Sequence, residues 1–216
     1  MTNGPIVVYG AFNSPWSYLA SRRAELLERV GLRIDWRAVD ADTSRPDRPS
    51  DRAREIQRVR QEMDQIAAAI LPGERLPYTL AGFITNTSAA VSIYGDAYQL
   101  GAGPAIRSLL FEAFWLHAID LNNERSVHTL VTDVLPSELF ADKASMGHDA
   151  TQTPRLNRQW VMEWRDLGRP ALPVLIVGGA TSTCGADAVG WLGDQLVNFD
   201  VDIEAARTSL LHHGRP

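Results

Sequence analysis

The chain has 216 residues, 45% hydrophobic and 22% charged, with a formal net charge of −5. That length holds one large domain or two small ones with a real core, and the balance of residue types excludes a disordered, collagenous or disulfide-stapled chain. The acidic balance argues against nucleic acid or an anionic membrane as partner, and the single cysteine, Cys184, excludes an internal disulfide, a Cys-rich zinc site and dithiol chemistry within one chain.

In chain order, Pro5 to Tyr9 is a short β-branched run ending at Gly10, the pattern of a buried strand. Ser14 followed by Pro15 predicts a helix N-cap with proline at the first helical position, and Trp16, Leu19, Ala20, Leu26, Leu27 and Val30 give that helix its apolar face before Gly31 ends it. Leu32 to Val39 alternates apolar and polar residues, which predicts a second strand with one buried face. Asp40 to Ser50 is polar and proline-bearing, a loop or linker. Five helical patterns follow, at Arg54 to Leu71, Thr87 to Leu100, Pro104 to His117, Ser126 to Leu135 and Pro154 to Leu167, with no strand between them. Strand character returns at Leu172 to Gly178, turns at Gly178-Gly179, and resumes through Thr181 to Cys184. A last helix is predicted from Ala186 or Asp187, with a polar-then-helical tail from Asp200 to His213. The expected architecture is therefore an α/β sheet domain of residues 1–50 and 168–216, interrupted by an all-helical domain of residues 51–167.

No basic region followed by a signal-length apolar stretch opens the chain, and no run reaches the roughly 18 apolar residues of a membrane span, so the expected location is the cytoplasm. His117, His128, His148, His212 and His213 show no ligand spacing, so no metal is expected. Arginine supplies almost all of the positive charge; Lys143 is the only lysine.

The chemistry is expected where the first strand meets the first helix. N–H groups of a helix's first turn lack partners and the dipole is positive there, so a thiolate or other anion is stabilised. Thioredoxin-fold enzymes place Cys-x-x-Cys at this point, and here Ser14 and Ser17 hold both positions. Pro173, at the start of the third strand, stands where that fold carries a cis proline facing the active-site helix.

Tyr9 to Ala20 (YGAFNSPWSYLA) resembles the opening of the DsbA-like superfamily, nearest to its serine branch, the 2-hydroxychromene-2-carboxylate isomerases and kappa-class glutathione transferases. Asn86-Thr87 with Ala90, Leu109 to Trp115, and Leu172-Pro173-Val174 match further motifs of that group. The resemblance implies a thioredoxin-like β-α-β, helices, β-β-α fold and a bound thiol cofactor, glutathione or another low-molecular-weight thiol. Ser14 would hold its sulfur as thiolate, with Ser17 beside it. It further implies cofactor contacts from Leu172, Pro173, Gly185, Ala186 and Asp187, and a substrate pocket of Phe12, Asn13, Trp16 and Asn86. The implied activity is isomerisation or conjugation of a small, aromatic electrophile, and members of the group are often homodimers. The family's Gly-Asn-Asp-Arg or Gly-Ser-Asp-Arg anchor reads Gly185-Ala186-Asp187-Ala188 here, retaining only the aspartate besides the glycine. Two alternatives stand beside this reading: a non-catalytic ligand- or peptide-binding protein that has lost its Cys-x-x-Cys, and an oxidoreductase working through Cys184.

Overall fold

A computed structural model describes residues 4–40, 49–76, 78–79, 86–132, 152–179 and 181–205. The chain runs β1 (Ile6–Gly10), α1 (Pro15–Arg29), β2 (Ile34–Ala38), α2 (Pro49–Ala67), α3 (Ser88–Gln99), α4 (Gly103–Trp115), α5 (Glu124–Thr132), α6 (Gln152–Asp166), β3 (Val174–Val177), β4 (Thr181–Cys184) and α7 (Gly185–Asn198). The sheet order is β2-β1-β3-β4, with β1 and β2 parallel and β3 antiparallel to both its neighbours. This is the expected α/β thioredoxin-like arrangement, with helices α2 to α6 inserted between β2 and β3.

Where boundaries differ from the sequence pattern, a local or tertiary bond decides. The N–H of Gly31 (φ 92°) bonds Glu28 O and that of Leu32 bonds Leu27 O, closing a Schellman motif on α1. Leu32 is thereby used as a helix stop, and β2 starts two residues later than the alternation suggests. Helix α2 begins at Pro49, inside the stretch expected to be loop, because proline suits a first helical position. It ends at Ala67 rather than Leu71, since Ala68 and Ala69 tighten into i→i−3 bonds and the Ala69 carbonyl is taken by Arg23 Nη2 at 2.7 Å. Helix α7 starts at Gly185, whose φ of 56° favours glycine. Residues 41–48, 133–150 and 206–216, with parts of the expected loop, of the fourth helical pattern and of the tail, lie outside the described residues.

Paired residues on neighbouring strands share a sheet face. Ile6, Val8, Gly10, Trp36, Ala38 and Leu175 form one face. Arg107 of α4 stacks over Trp36 at 5.3 Å and bonds Glu28 and Ser21 of α1, so α1 and α4 lie over this face. Val7, Tyr9, Asp35, Arg37, Val174, Ile176 and Cys184 form the other. There Tyr9 Oη donates to Glu163 Oε2 (2.9 Å), and Arg37 Nη1 donates to the same oxygen (2.7 Å), fastening α6. The outer edge of β2 is closed by α3, since Tyr94 Oη donates to Trp36 O at 2.9 Å.

An aromatic core joins the sheet domain to the inserted helices. Tyr18 stacks on Trp115 (5.7 Å, 4°), Trp36 meets Phe111 edge-on (5.7 Å, 89°), and Phe12 packs on Phe111 (5.0 Å) and Tyr94 (5.8 Å). Each such pair adds about 0.5–1.5 kcal/mol beyond its buried area.

Burial also makes the fold alkali-sensitive. Desolvation first, with Glu163 accepting from Tyr9 and Asp35 from Tyr98, pushes both phenols up to about 12; desolvation likewise raises Tyr18 to about 12, and it raises Tyr94 as well. An unfolded tyrosine ionises near about pH 10. The stability these groups contribute is complete below pH 10 and is lost as pH climbs from about 10 to 12. Thermal melts should therefore show Tm falling between about pH 10 and 12 in step with phenolate absorbance, and a flat Tm across that window would contradict it.

Candidate active site at the ends of three helices

β1 and β4 both run antiparallel to β3 and so are parallel to each other. Helices α1 and α7, which follow β1 and β4 directly, therefore start from the same end of the sheet. Extending the pairings Tyr9–Val174 and Val174–Cys184 by one residue sets Gly10, Pro173 and Gly185 in a row across three strands. The bond from Gly185 N to Pro173 O at 2.8 Å holds that row, and its ends are about 10 Å apart at ordinary strand spacing. The Leu172–Pro173 peptide is cis.

A third helix tip comes to this end. Tyr98 Oη donates to Asp35 Oδ1 (2.8 Å) at the start of β2, and Tyr94 Oη reaches Trp36 O farther along, so α3 runs antiparallel to β2. Thr87 lies seven residues before Tyr94, about 10 Å up the helix. That brings the N-terminus of α3 past Ala38 to the level of the β1–α1 loop.

Ser14 is half-buried and caps α1: its Oγ accepts from Ser17 N at 3.2 Å with φ −95° and ψ 122°. The capping bond occupies a lone pair and leaves the hydroxyl proton to donate. Among the described residues no histidine or carboxylate bonds this oxygen, so none of them is placed as a base to make serine a nucleophile. What Ser14 can do is give a hydrogen bond to an anion at a positively polarised helix tip.

Ser17 and Phe12 take other parts than the sequence suggested. Ser17 is 0% exposed and its Oγ accepts from Ala11 N at 3.3 Å, bracing the loop that carries Ser14 rather than meeting a ligand. Phe12 is 1% exposed, its ring inside the aromatic core and its carbonyl accepting from Trp115 Nε1 at 3.0 Å. It is a core residue, not a pocket wall. Of the other expected pocket residues, Asn13, Trp16 and Asn86 are half-buried. Asn86 Oδ1 accepts from Ser88 Oγ at 3.2 Å.

Gly185, Ala186 and Asp187 form the first turn of α7, with Asp187 exposed and Ala188 0% exposed. With no side-chain cap bond from Cys184 at the N-cap position and the Gly185 N–H given to Pro173 O, the N–H groups of Ala186 and Asp187 have no capping partner among the described residues. These groups fit both ends of an amino acid moiety: a carboxylate on the N–H groups and an ammonium on Asp187. The thiol Cys184 itself shares a sheet face with Val174 and Tyr9, the face bearing α6 and opposite the one under α1. It does not point to the helix side on which Ser14 stands.

Sequence reading missed Thr87 as a site candidate. It is 0% exposed, stands at the N-cap position of α3, makes no cap bond, and its Oγ1 has no hydrogen-bond partner. Its neighbour Asn86 was legible through the motif; an unsatisfied buried hydroxyl is visible only in three dimensions. Among the described residues no group of three metal-ligating side chains occurs, and no helix is long and apolar enough to cross a membrane.

No family model matches the chain, and no curated protein sequence matches it. Solved structures do. A protein from Nitrosomonas europaea described as a protein disulfide isomerase aligns at TM-score 0.64 and 16% identity, over 90% of this chain and 98% of that one. A 2-hydroxychromene-2-carboxylate isomerase aligns at 0.60 and 19%, over 90% and 95%. The cytosolic disulfide reductase DsbM from Pseudomonas aeruginosa aligns at 0.60 and 14%, over 96% and 100%, and its structure with glutathione at 0.51 and 16%, over 88% and 99%. All share one fold, and this chain has it.

Proposed function

We propose that this chain, a DsbA-like thioredoxin fold with helices inserted between β2 and β3, is a thiol-cofactor-dependent isomerase or transferase acting on a small electrophilic, aromatic substrate. One observation carries the reading: Ser14 stands at the tip of α1 with its lone pair engaged by Ser17 N and its proton free. The protein offers no thiol on the α1 side of the sheet, so the sulfur is brought by a cofactor. Likeness to a 2-hydroxychromene-2-carboxylate isomerase and to a reductase solved with glutathione supports a thiol link.

When bound, the thiol supplies a nucleophilic sulfur able to add to an electrophilic carbon. Ser14 donates to that sulfur and, with the dipole of α1, favours its anionic form. Leu172 and Pro173 present backbone to the cofactor, while Asp187 takes its ammonium and the first-turn N–H groups of α7 its carboxylate. Trp16 contributes an apolar wall for the substrate, beside the half-buried Asn13 and Asn86.

Glutathione added at millimolar concentration should raise Tm by mass action, and a thiolate absorbance band should appear at neutral pH on binding. In Ser14→Ala the band is expected to vanish while the fold survives the loss of one cap, about 1 kcal/mol. Ser14→Thr, which keeps hydroxyl and cap, should restore it. A thiolate band undiminished in Ser14→Ala would remove Ser14 from the mechanism, and absence of any shift with glutathione, cysteine or other small thiols would favour the non-catalytic binding module.

A further inference from the structure

A cleft lies on the flank of α1, between that helix, the turn after α2 and the segment 201–205 that follows α7. Its free space is about 440 Å³, within the size range of small-ligand pockets. Leu19, Arg22 and Leu26 reach it from one face of α1, being three and four positions apart, while Leu76 and Ile203 reach it from the other two segments. Leu19 is five residues past Ser14 and Leu26 twelve, so the cleft runs from about 8 to about 18 Å along α1 from its tip. The surrounding segments are fastened. A Cβ at Gly73 would lie 3.6 Å from Ile203 Cβ, which puts the 201–205 segment against the turn. Glu74 pins that turn, accepting from Arg23 at 2.8 and 2.7 Å and from Leu71 N at 2.7 Å. The cleft is therefore formed before any ligand arrives.

Charge at the cleft is unequal. Both oxygens of Glu74 are taken by Arg23, and Glu25 accepts from Arg29 Nη2 (2.9 Å) and Arg22 Nη1 (3.2 Å). Arg22 in turn reaches Glu112 at 3.0 Å. Arg75 also borders the cleft, is exposed, and has no ion-pair partner among the described residues. One unmatched cation thus stands beside four aliphatic side chains. We propose that this cleft binds an aliphatic carboxylate of medium chain length, its methylenes against Leu19, Leu26, Leu76 and Ile203 and its anionic end on Arg75. Apolar walls take up the chain, and an arginine fork matches the two carboxylate oxygens. The proposal is independent of the thiol reading, because no group of the helix-tip site takes part.

The test titrates the full chain calorimetrically with octanoate and, as neutral counterpart, 1-octanol. Wild type should bind one octanoate at least tenfold more tightly than octanol, with affinity falling as salt rises. Arg75→Gln should weaken octanoate at least fivefold and leave octanol unchanged, and Arg75→Lys should stay within threefold of wild type. Ile203→Trp, which fills the space, should abolish both. Saturating glutathione should leave octanoate affinity unchanged. Absence of saturable octanoate binding overturns the proposal, as does equal affinity in Arg75→Gln or survival of binding in Ile203→Trp. Displacement by glutathione would put octanoate at the helix tips and overturn it too. So would a wild-type dimer in sedimentation that Ile203→Trp splits, which would make the cleft a contact between two copies.

Discussion

Replacing Glu74 by alanine should unfold the protein at a temperature about 6–20 °C below wild type. Arg23 projects from the middle of α1 and is 1% exposed. Its Nε and Nη2 donate to the two carboxylate oxygens of Glu74 at 2.8 and 2.7 Å, Nη1 donates to Val189 O of α7 at 2.7 Å, and Nη2 also reaches Ala69 O at 2.7 Å. Glu74 in turn accepts from Leu71 N at 2.7 Å. Three pieces of chain are thus held on one guanidinium: α1, α7 and the turn after α2. Removing the carboxylate leaves a buried cation facing only carbonyls, and breaking a buried pair from one side costs about 3–5 kcal/mol. At about 2–4 °C per kcal/mol for a chain of this size the Tm shift follows. Replacing both partners, Arg23→Met with Glu74→Leu, should recover much of the loss, since an apolar pair of similar volume carries no desolvation cost. Calorimetric scans of the two variants decide it; a Glu74→Ala shift under 3 °C would show the pair to be dispensable.

Gly10→Ala is expected to be nearly as damaging for a steric reason. A Cβ at Gly10 would lie 2.2 Å from Trp36 Cζ2 and 2.9 Å from Cη2. Trp36 is 2% exposed and wedged between Phe111 and the Arg107 guanidinium, so the ring has no room to withdraw. Overpacking of a filled core costs about 1–3 kcal/mol, and this overlap belongs at the upper end. Gly10 also opens the loop to Ser14, so on the proposed function the variant should lose thiolate stabilisation together with stability. Urea denaturation with glutathione titration reads both effects; unchanged midpoint and unchanged binding would mean that the indole yields. Gly10→Ala with Trp36→Phe should regain stability if the ring is the obstacle.

The fold was legible because its punctuation is local. Ser14-Pro15 starts α1, Gly31 stops it and Gly178-Gly179 turns β3 into β4, each through a backbone preference that reads directly from residue type. Boundaries set by distant partners were not legible: nothing in the sequence of α2 says that Ala69 O belongs to Arg23, forty-six positions earlier. The site divides the same way. Ser14 and Pro173 carry motifs, and the structure has the cap and the cis peptide at those positions. Phe12 and Ser17 belong to the same motif but point inward, a matter of rotation about the chain that composition does not record. Thr87 is distinguished by what it lacks, a partner, and Cys184 by the parity of its place on β4, which depends on strand register.

The oxygen that opens α1 also has a second consequence. A hydroxyl already accepting from one amide gives up its own proton more readily, because successive hydrogen bonds polarise one another. On the proposed function, the start of the helix and the charge of a bound sulfur would therefore draw on a single atom in the same sense. Tightening of either would then be felt by the other across one turn, so that residues which only steady the first turn, Ser17 and Ala11 among them, would become tuners of an anion they never touch.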